Sequence, residues 1–131
     1  MVGVLTSIYL VLVALLAGSF FNLAADRLPR GESVVRPRSH CRTCGRRLDF
    51  VDLLPVAGYA IRQGRCASCG AAIGVVSPIV EALAGLSMAI PLAVLGPAAG
   101  GVAGGGLVIL VGAVVVALAF SRSRAAESRT R

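Results

Sequence analysis

The chain has no lysine, no tryptophan, one histidine (His40) and only six acidic residues among 131. Because lysine is missing while arginine is frequent, the composition reads as that of an arginine-preferring genome, and no single arginine is to be taken as chosen for its guanidinium. Without tryptophan the interfacial aromatic belt is thin, leaving Tyr9, Phe20, Phe21 and Phe120 as aromatic anchors in the apolar segments. Charged residues make up 15% and hydrophobic ones 56%, with a mean hydropathy of +0.85. That balance excludes an ordinary soluble globular domain and points to a membrane protein.

Charge is also absent in long blocks. From Met1 to Ala25 no side chain is charged, and about 20 residues are enough to cross the hydrocarbon core as a helix. This predicts a transmembrane helix over 1–25. A cleaved signal peptide is the competing reading, since NLAAD offers small residues at a cleavage site, but the start lacks basic residues and the apolar run is long. A second charge-free block, Ala82 to Ser121, is about twice one span and is divided by GPAAGG at 96–101. The second helix is expected over 78–95, with Ser77 as N-cap and Pro78 at the first helical position. The third is expected over 102–120, where Gly104, Gly105 and Gly106 imply fraying or close packing. The basic stretch 121–131, with Arg122, Arg124, Arg129 and Arg131, is expected as a disordered cytoplasmic tail.

Residues 26–77 are of a different kind, rich in arginine and glycine and broken by Pro29, Pro37 and Pro55. No helical period runs through them. The exception is the apolar piece FVDLLPVAGYAI at 50–61, suited to packing on the membrane surface or on the Cys-rich part. The positive-inside rule puts this loop and the tail in the cytoplasm and the N-terminus outside. Three spans satisfy both basic segments, whereas an even number leaves one on the wrong side. The expected fold is an α-helical, multi-pass integral membrane protein in the lipid bilayer. It has three transmembrane helices and a small cytoplasmic domain, 26–77, between the first and second.

That domain holds all four cysteines, as Cys41-x-x-Cys44-Gly45 and Cys66-x-x-Cys69-Gly70, about 21 residues apart. Each pair forms a knuckle in which two thiolates reach one ion from a tight turn. The following glycine permits the positive φ that turns backbone N–H groups toward sulfur. Four thiolates around Zn²⁺ leave a charge of about −2, which Arg42, Arg46, Arg47 and Arg65 can balance. A domain so small and so poor in apolar residues needs such a staple, and structural zinc supplies on the order of 10–16 kcal/mol in small peptides. The expected ligands are Cys41, Cys44, Cys66 and Cys69, holding a structural zinc. Two disulfides, a redox pair or free thiols are the competing readings. A reducing cytoplasm disfavours disulfides. A catalytic zinc is disfavoured because four cysteines close the coordination shell, and His40 reads as a surface residue.

Residues 18–85 carry GSFFN at 18–22, RLPRGESVVRPRSHC at 27–41, both knuckles with DLLPV at 52–56 between them, and VEALAG at 80–85. In these motifs the chain resembles the amino-terminal part of the type IV prepilin peptidases. The resemblance implies a polytopic protein of the bacterial inner membrane, serving type IV pilus and type II secretion systems. Members are aspartic proteases that cut prepilin leaders, and many also methylate the new N-terminus using S-adenosylmethionine. The proteolytic pair the family requires is one carboxylate after the third span and one in Gly-x-Gly-Asp. Here Ser121 and Arg122 stand at the first position, and no Gly-x-Gly-Asp occurs.

No catalytic residue is therefore assigned. The expectation is a chain proteolytically inactive alone, a scaffold or one half of a split enzyme whose partner carries Gly-x-Gly-Asp, with prepilins as substrates. The alternative is an S-adenosylmethionine-dependent N-methyltransferase acting on cleaved prepilins. Against it stand the lack of a Gly-rich nucleotide-binding turn and the small size of the domain, which leaves little room for a cofactor pocket. Glu81 matches a family carboxylate and reads as a first-turn acid, a partner for a loop arginine or an inter-helix group. Asn22 reads as a helix-end hydrogen-bonding residue, and Asp26, Asp49 and Asp52 as surface or loop-capping charges. Nucleic acid is not an expected partner, because only Phe50 and Tyr59 accompany the loop arginines.

Overall fold

The computed structural model describes residues 1–36 and 38–129. The expectations on Pro37 and Arg131 lie outside the described residues.

Helix α1, Val2–Arg27, is built from the charge-free N-terminal run. Its early hydroxyls are satisfied internally: Thr6 Oγ1 donates to the Val2 carbonyl and Ser7 Oγ to that of Gly3, each at 3.0 Å. Leu28–Arg30 continues as a 3₁₀ turn with Pro29 near its start, and Gly31 closes it at φ 69°. Helix α2, Ala57–Ile61, is a single short piece inside the loop. Helix α3, Val76–Arg129, carries the second apolar block but is interrupted at Gly96, whose φ of 78° and ψ of 177° lie outside the helical range. Among the described residues there is no strand, only isolated bridges between His40 and Arg47 and between Arg65 and Ala72.

The break at Gly96 is a reversal. A Cβ on Gly100 would lie 2.6 Å from Leu92 Cα, and one on Gly104 would lie 3.0 Å from Met88 Cα and 3.2 Å from the Ser87 carbonyl oxygen. Pro91 cannot donate to that carbonyl, so the freed oxygen faces a glycine that can approach it. The arms 76–95 and 97–129 thus form an antiparallel hairpin. Helix α1 lies antiparallel to the first arm, with Gly18 against Glu81 and Ala84 and Leu15 against Gly85. It runs parallel to the second, with Leu10 against Gly101 and Phe21 against Gly112. The shared core is Ala14, Ala84, Met88, Leu92 and Val108. Small residues at each crossing let the backbones approach, as in helix packing within membranes.

Two helices are long and apolar enough to cross a membrane, and the outer faces of both carry large exposed apolar side chains such as Leu5, Leu12, Leu16, Ile90 and Ile109. Several local expectations are corrected. The third helical segment resumes at Pro97 rather than after 101, because Gly96 alone makes the turn and proline suits the first helical position. Residues 121–129 extend the helix instead of forming a disordered tail, and within it Ser121 and Ser123 bond back to carbonyls of the preceding turn. Ser77 is not an N-cap. The helix begins one residue earlier, and the Ser77 hydroxyl donates to Glu81 Oε1 at 3.1 Å.

Candidate metal centre

The two knuckles are built alike, each residue of the first matched by one 25 positions on. The Cys41 N–H donates to the Arg46 carbonyl at 2.8 Å, and the Cys66 N–H to that of Ala71 at 2.9 Å. The Gly45 N–H returns to the Cys41 carbonyl and the Gly70 N–H to that of Cys66, at 2.8 and 3.0 Å. Each knuckle is closed outside by a further pair, Leu48 to Ser39 and Ile73 to Gly64. Gly45 and Gly70 have φ of 71° and 68°, the left-handed conformation that the turn requires.

The repeat brings the four sulfurs together, all within 4.8 Å of one another. Across the knuckles Cys41 Sγ lies 3.9 Å from Cys69 Sγ, and Cys44 Sγ lies 3.9 Å from Cys66 Sγ. A tetrahedral four-sulfur site with metal–sulfur bonds of about 2.3 Å has edges of roughly 3.8 Å. The cysteines are not joined in disulfides. The Cys66 thiol is pulled down to about 6, chiefly by the backbone N–H groups of Cys69 and Ser68, with Arg46 adding to the effect. Cys41 is lowered by the backbone N–H groups of Cys44 and Thr43. Cys69 is pushed up to about 11; the Ala71 N–H favours its thiolate, but desolvation and the neighbouring sulfurs outweigh it. Four like groups held this close favour deprotonation together only when a cation shares them. The Arg46 side chain favours the negative form of Cys66, and its Nε is buried without a hydrogen-bond partner among the described residues. The donor set is soft and complete at four, so it fits a metal held for structure.

His40 is exposed, its Nδ1 3.0 Å from the Arg38 carbonyl, and it is not part of the sulfur cluster. Asp26 pairs with Arg30 of the following 3₁₀ turn and with Arg42 of the first knuckle, tying the end of α1 to the cysteine module. Arg27, buried at 5% exposure, donates to the Ser33 carbonyl at 2.8 Å and holds the following loop. Asp49 and Asp52 cap each other, each accepting the other's backbone N–H at 3.0 Å. Asp52 is more than a surface charge. Its side chain is 4% exposed, between Arg46 and Arg62. Burial alone would push its carboxyl up, but the Asp49 N–H and both guanidiniums prevail and hold it below the usual range.

Glu81 is 6% exposed and pairs with no arginine among the described residues. It accepts the Val56 N–H at 2.7 Å and the Ser77 hydroxyl, so it joins α3 to the loop. Asn22 faces a cavity of about 760 Å³ whose lining includes Asp26, Glu32, His40, Arg42 and Glu81. The space is lined mostly by residues of 26–77 and closed by Ser19, Asn22, Leu23 and Glu81 from the helix ends. Arg27 and the Arg46–Asp52–Arg62 group carried no sequence signal beyond an Asp-x-x-Asp spacing between arginines.

A family model described as the bacterial peptidase A24 N-terminal domain matches residues 12–94, which includes both knuckles and Glu81. The chain belongs to that family. A prepilin leader peptidase/N-methyltransferase of Myxococcus xanthus is 39% identical over 84 residues, 64% of this chain and 25% of that protein. One of Bacillus subtilis is 36% identical over 55% of this chain and 29% of its own length, and one of Pseudomonas aeruginosa 31% identical over 54% and 32%. The chain therefore spans about a quarter to a third of these relatives. No solved structure matches it. Within the family domain, the cysteine module and the helices are one connected unit, joined through Asp26–Arg42 and Val56–Glu81.

Proposed function

We propose that this chain is the amino-terminal part of a prepilin-processing system in the bacterial inner membrane. The four-sulfur cluster holds a structural zinc, and α1 and the arms 76–95 and 97–129 cross the bilayer as three spans. The N-terminus lies outside, and the cysteine module and the 121–129 extension lie in the cytoplasm. In support, the family match covers the module together with the helix ends that grip it.

In this role the cysteines would hold the metal, which fixes two turns that little apolar burial supports, while Asp26 and Glu81 anchor the module to the helices. Peptide-bond hydrolysis needs two carboxylates close enough to be one protonated and one ionised. Asp49 and Asp52 are adjacent, but two arginines neutralise them and hold both ionised. Cleavage would accordingly use carboxylates from outside these residues, and this part would act as their scaffold or as one half of a split enzyme.

The test is a pull-down of tagged protein from native membranes, with metal analysis and a prepilin cleavage assay on the same sample. One zinc per chain and recovery of a carboxylate-bearing partner with cleavage are expected. Cleavage by the purified chain alone would overturn the reading. The cavity favours a second reading, methylation of cleaved prepilins with S-adenosylmethionine, because its size falls in the range of small-molecule sites. Absence of S-adenosylmethionine binding to metal-loaded protein in calorimetry would sink that reading.

A further inference from the structure

Residues 53–61, LLPVAGYAI, form a charge-free run bounded by Asp52 and Arg62. The two ends are closed on each other. Arg62 Nε donates to Asp52 Oδ1 and Arg62 Nη2 to Asp49 Oδ2, both at 2.8 Å, and Arg46 completes the group. This makes a charged neck below which the loop carries no charge.

The middle of the loop reaches toward the helices. Val56 donates its N–H to Glu81, and Glu81 packs against α1 at Gly18, where a Cβ would lie 2.9 Å from Glu81 Cα. Gly18 precedes Asp26, the first charged residue of α1, by eight positions, or about 12 Å along the helix axis. The tip is therefore bound to a residue that packs about two turns inside the apolar stretch of α1, at the start of the apolar block of α3.

The backbone of the loop is prepared for a poorly hydrated setting. Leu53 donates to the Asp49 and Phe50 carbonyls, Leu54 to Val51, Gly58 to Leu54 and Ala60 to Val56. Pro55 has no N–H to satisfy, and the Val56 N–H, which no backbone carbonyl accepts, is taken by Glu81. Irregular backbone at membrane depth persists only when its polar groups are paired in this way. Val56 has φ 57°, an unfavourable conformation for a β-branched residue, and Glu81 holds it there. Meanwhile Leu53, Val56 and Ile61 are left exposed.

We infer that 53–61 is an interfacial loop inserted into the headgroup–acyl boundary of the bilayer, with Leu53 and Val56 against lipid and Glu81 pinning its tip. The inference rests on the proposal that α1 and the 76–95 arm cross the membrane. Lipid is the occupant the geometry favours, because a charge-free loop with exposed apolar side chains is tied through Glu81 to the two apolar helices, while its charged ends are gathered in the neck.

Since the chain has no tryptophan, single substitutions report without background. The full chain, metal-loaded and reconstituted in phosphatidylcholine–phosphatidylglycerol vesicles, is made as Leu53→Trp, Val56→Trp, Leu16→Trp on the exposed face of α1, and Ala67→Trp in the second knuckle. Quenching by brominated lipids and by aqueous acrylamide is read for each. Leu53→Trp and Val56→Trp are expected to emit to the blue of Ala67→Trp. They should lose most of their emission to bromines about 5–10 Å below the headgroups, while acrylamide quenches them several-fold less. Adding Glu81→Ala to Val56→Trp should restore acrylamide quenching.

If both loop variants are as open to acrylamide as Ala67→Trp while Leu16→Trp is quenched by lipid, the loop inference falls and the spanning proposal survives. If Leu16→Trp itself escapes lipid quenching, the spanning proposal fails and takes this one with it.

Discussion

Substituting one glycine of the third helical segment tests whether the hairpin at Gly96 closes. A straight helix of 54 residues would be about 80 Å long and would keep residue 100 far from residue 92. In the folded-back arrangement, Gly100→Ala places a Cβ 2.6 Å from Leu92 Cα and 2.7 Å from the Pro91 carbonyl carbon. Comfortable carbon contacts are about 3.5–4.0 Å, so the arms must part by roughly 1 Å. Both atoms belong to the backbone and cannot rotate away. Overpacking of this kind costs about 1–3 kcal/mol. The control is Gly105→Ala, five residues on in the same helix, where an added Cβ meets nothing within 4 Å. Helix propensity favours alanine equally at both sites, by about 1 kcal/mol, and cancels in the comparison. Gly100→Ala should therefore be less stable than Gly105→Ala by about 1–3 kcal/mol, or about 5–150-fold in the folding equilibrium. Reversible unfolding in mixed micelles, followed by circular dichroism on metal-loaded protein, measures the difference. Equal stability of the two variants would refute the fold-back.

Three further outcomes are expected. Glu81→Ala leaves the Val56 N–H without an acceptor, at a cost of about 1–3 kcal/mol, and exchange of that amide should accelerate about 5–150-fold; Glu81→Gln keeps an acceptor and should exchange more slowly than Glu81→Ala. Gly45→Ala and Gly70→Ala meet no steric obstacle, so only the left-handed conformation opposes them. Each should weaken metal binding by about 1–2 kcal/mol in competition with a chelator, and asparagine at the same position should lose less. Asp52 has a folded-state pKa below its unfolded value, so it contributes stability above about pH 3.9 that is lost as the pH falls through the folded value. The thermal-stability gap between wild type and Asp52→Asn should be full near neutrality and close in acid, and a gap unchanged by acid would contradict this.

Much of the candidate site was legible because its information is local. A Cys-x-x-Cys-Gly turn contains both the ligands and the glycine that shapes it, so each knuckle is defined within a few residues. The second knuckle repeats the first at an offset of 25, and this regular geometry brings the four sulfurs together. What was not legible depends on residues far apart in sequence. Asp52 reads as a loop cap from its neighbours, and only the approach of Arg46 and Arg62 makes it a buried ionic centre. Glu81 has the spacing of a first-turn acid, yet its partners are Ser77 and a backbone N–H 25 residues earlier.

By itself the sequence determined the apolar helices, the charged segment between them and the two Cys-x-x-Cys-Gly turns, because charge, hydropathy and turn chemistry act over a few neighbouring residues. The tertiary structure decided that a single glycine reverses α3, and that residues 121–129 continue its helix. It also decided that the loop at 53–61 hangs from Glu81 between a charged neck and the helices. Each of these depends on which backbones come close enough to touch, and that is settled only when Gly18, Gly100 and Gly104 let the helices pack against one another.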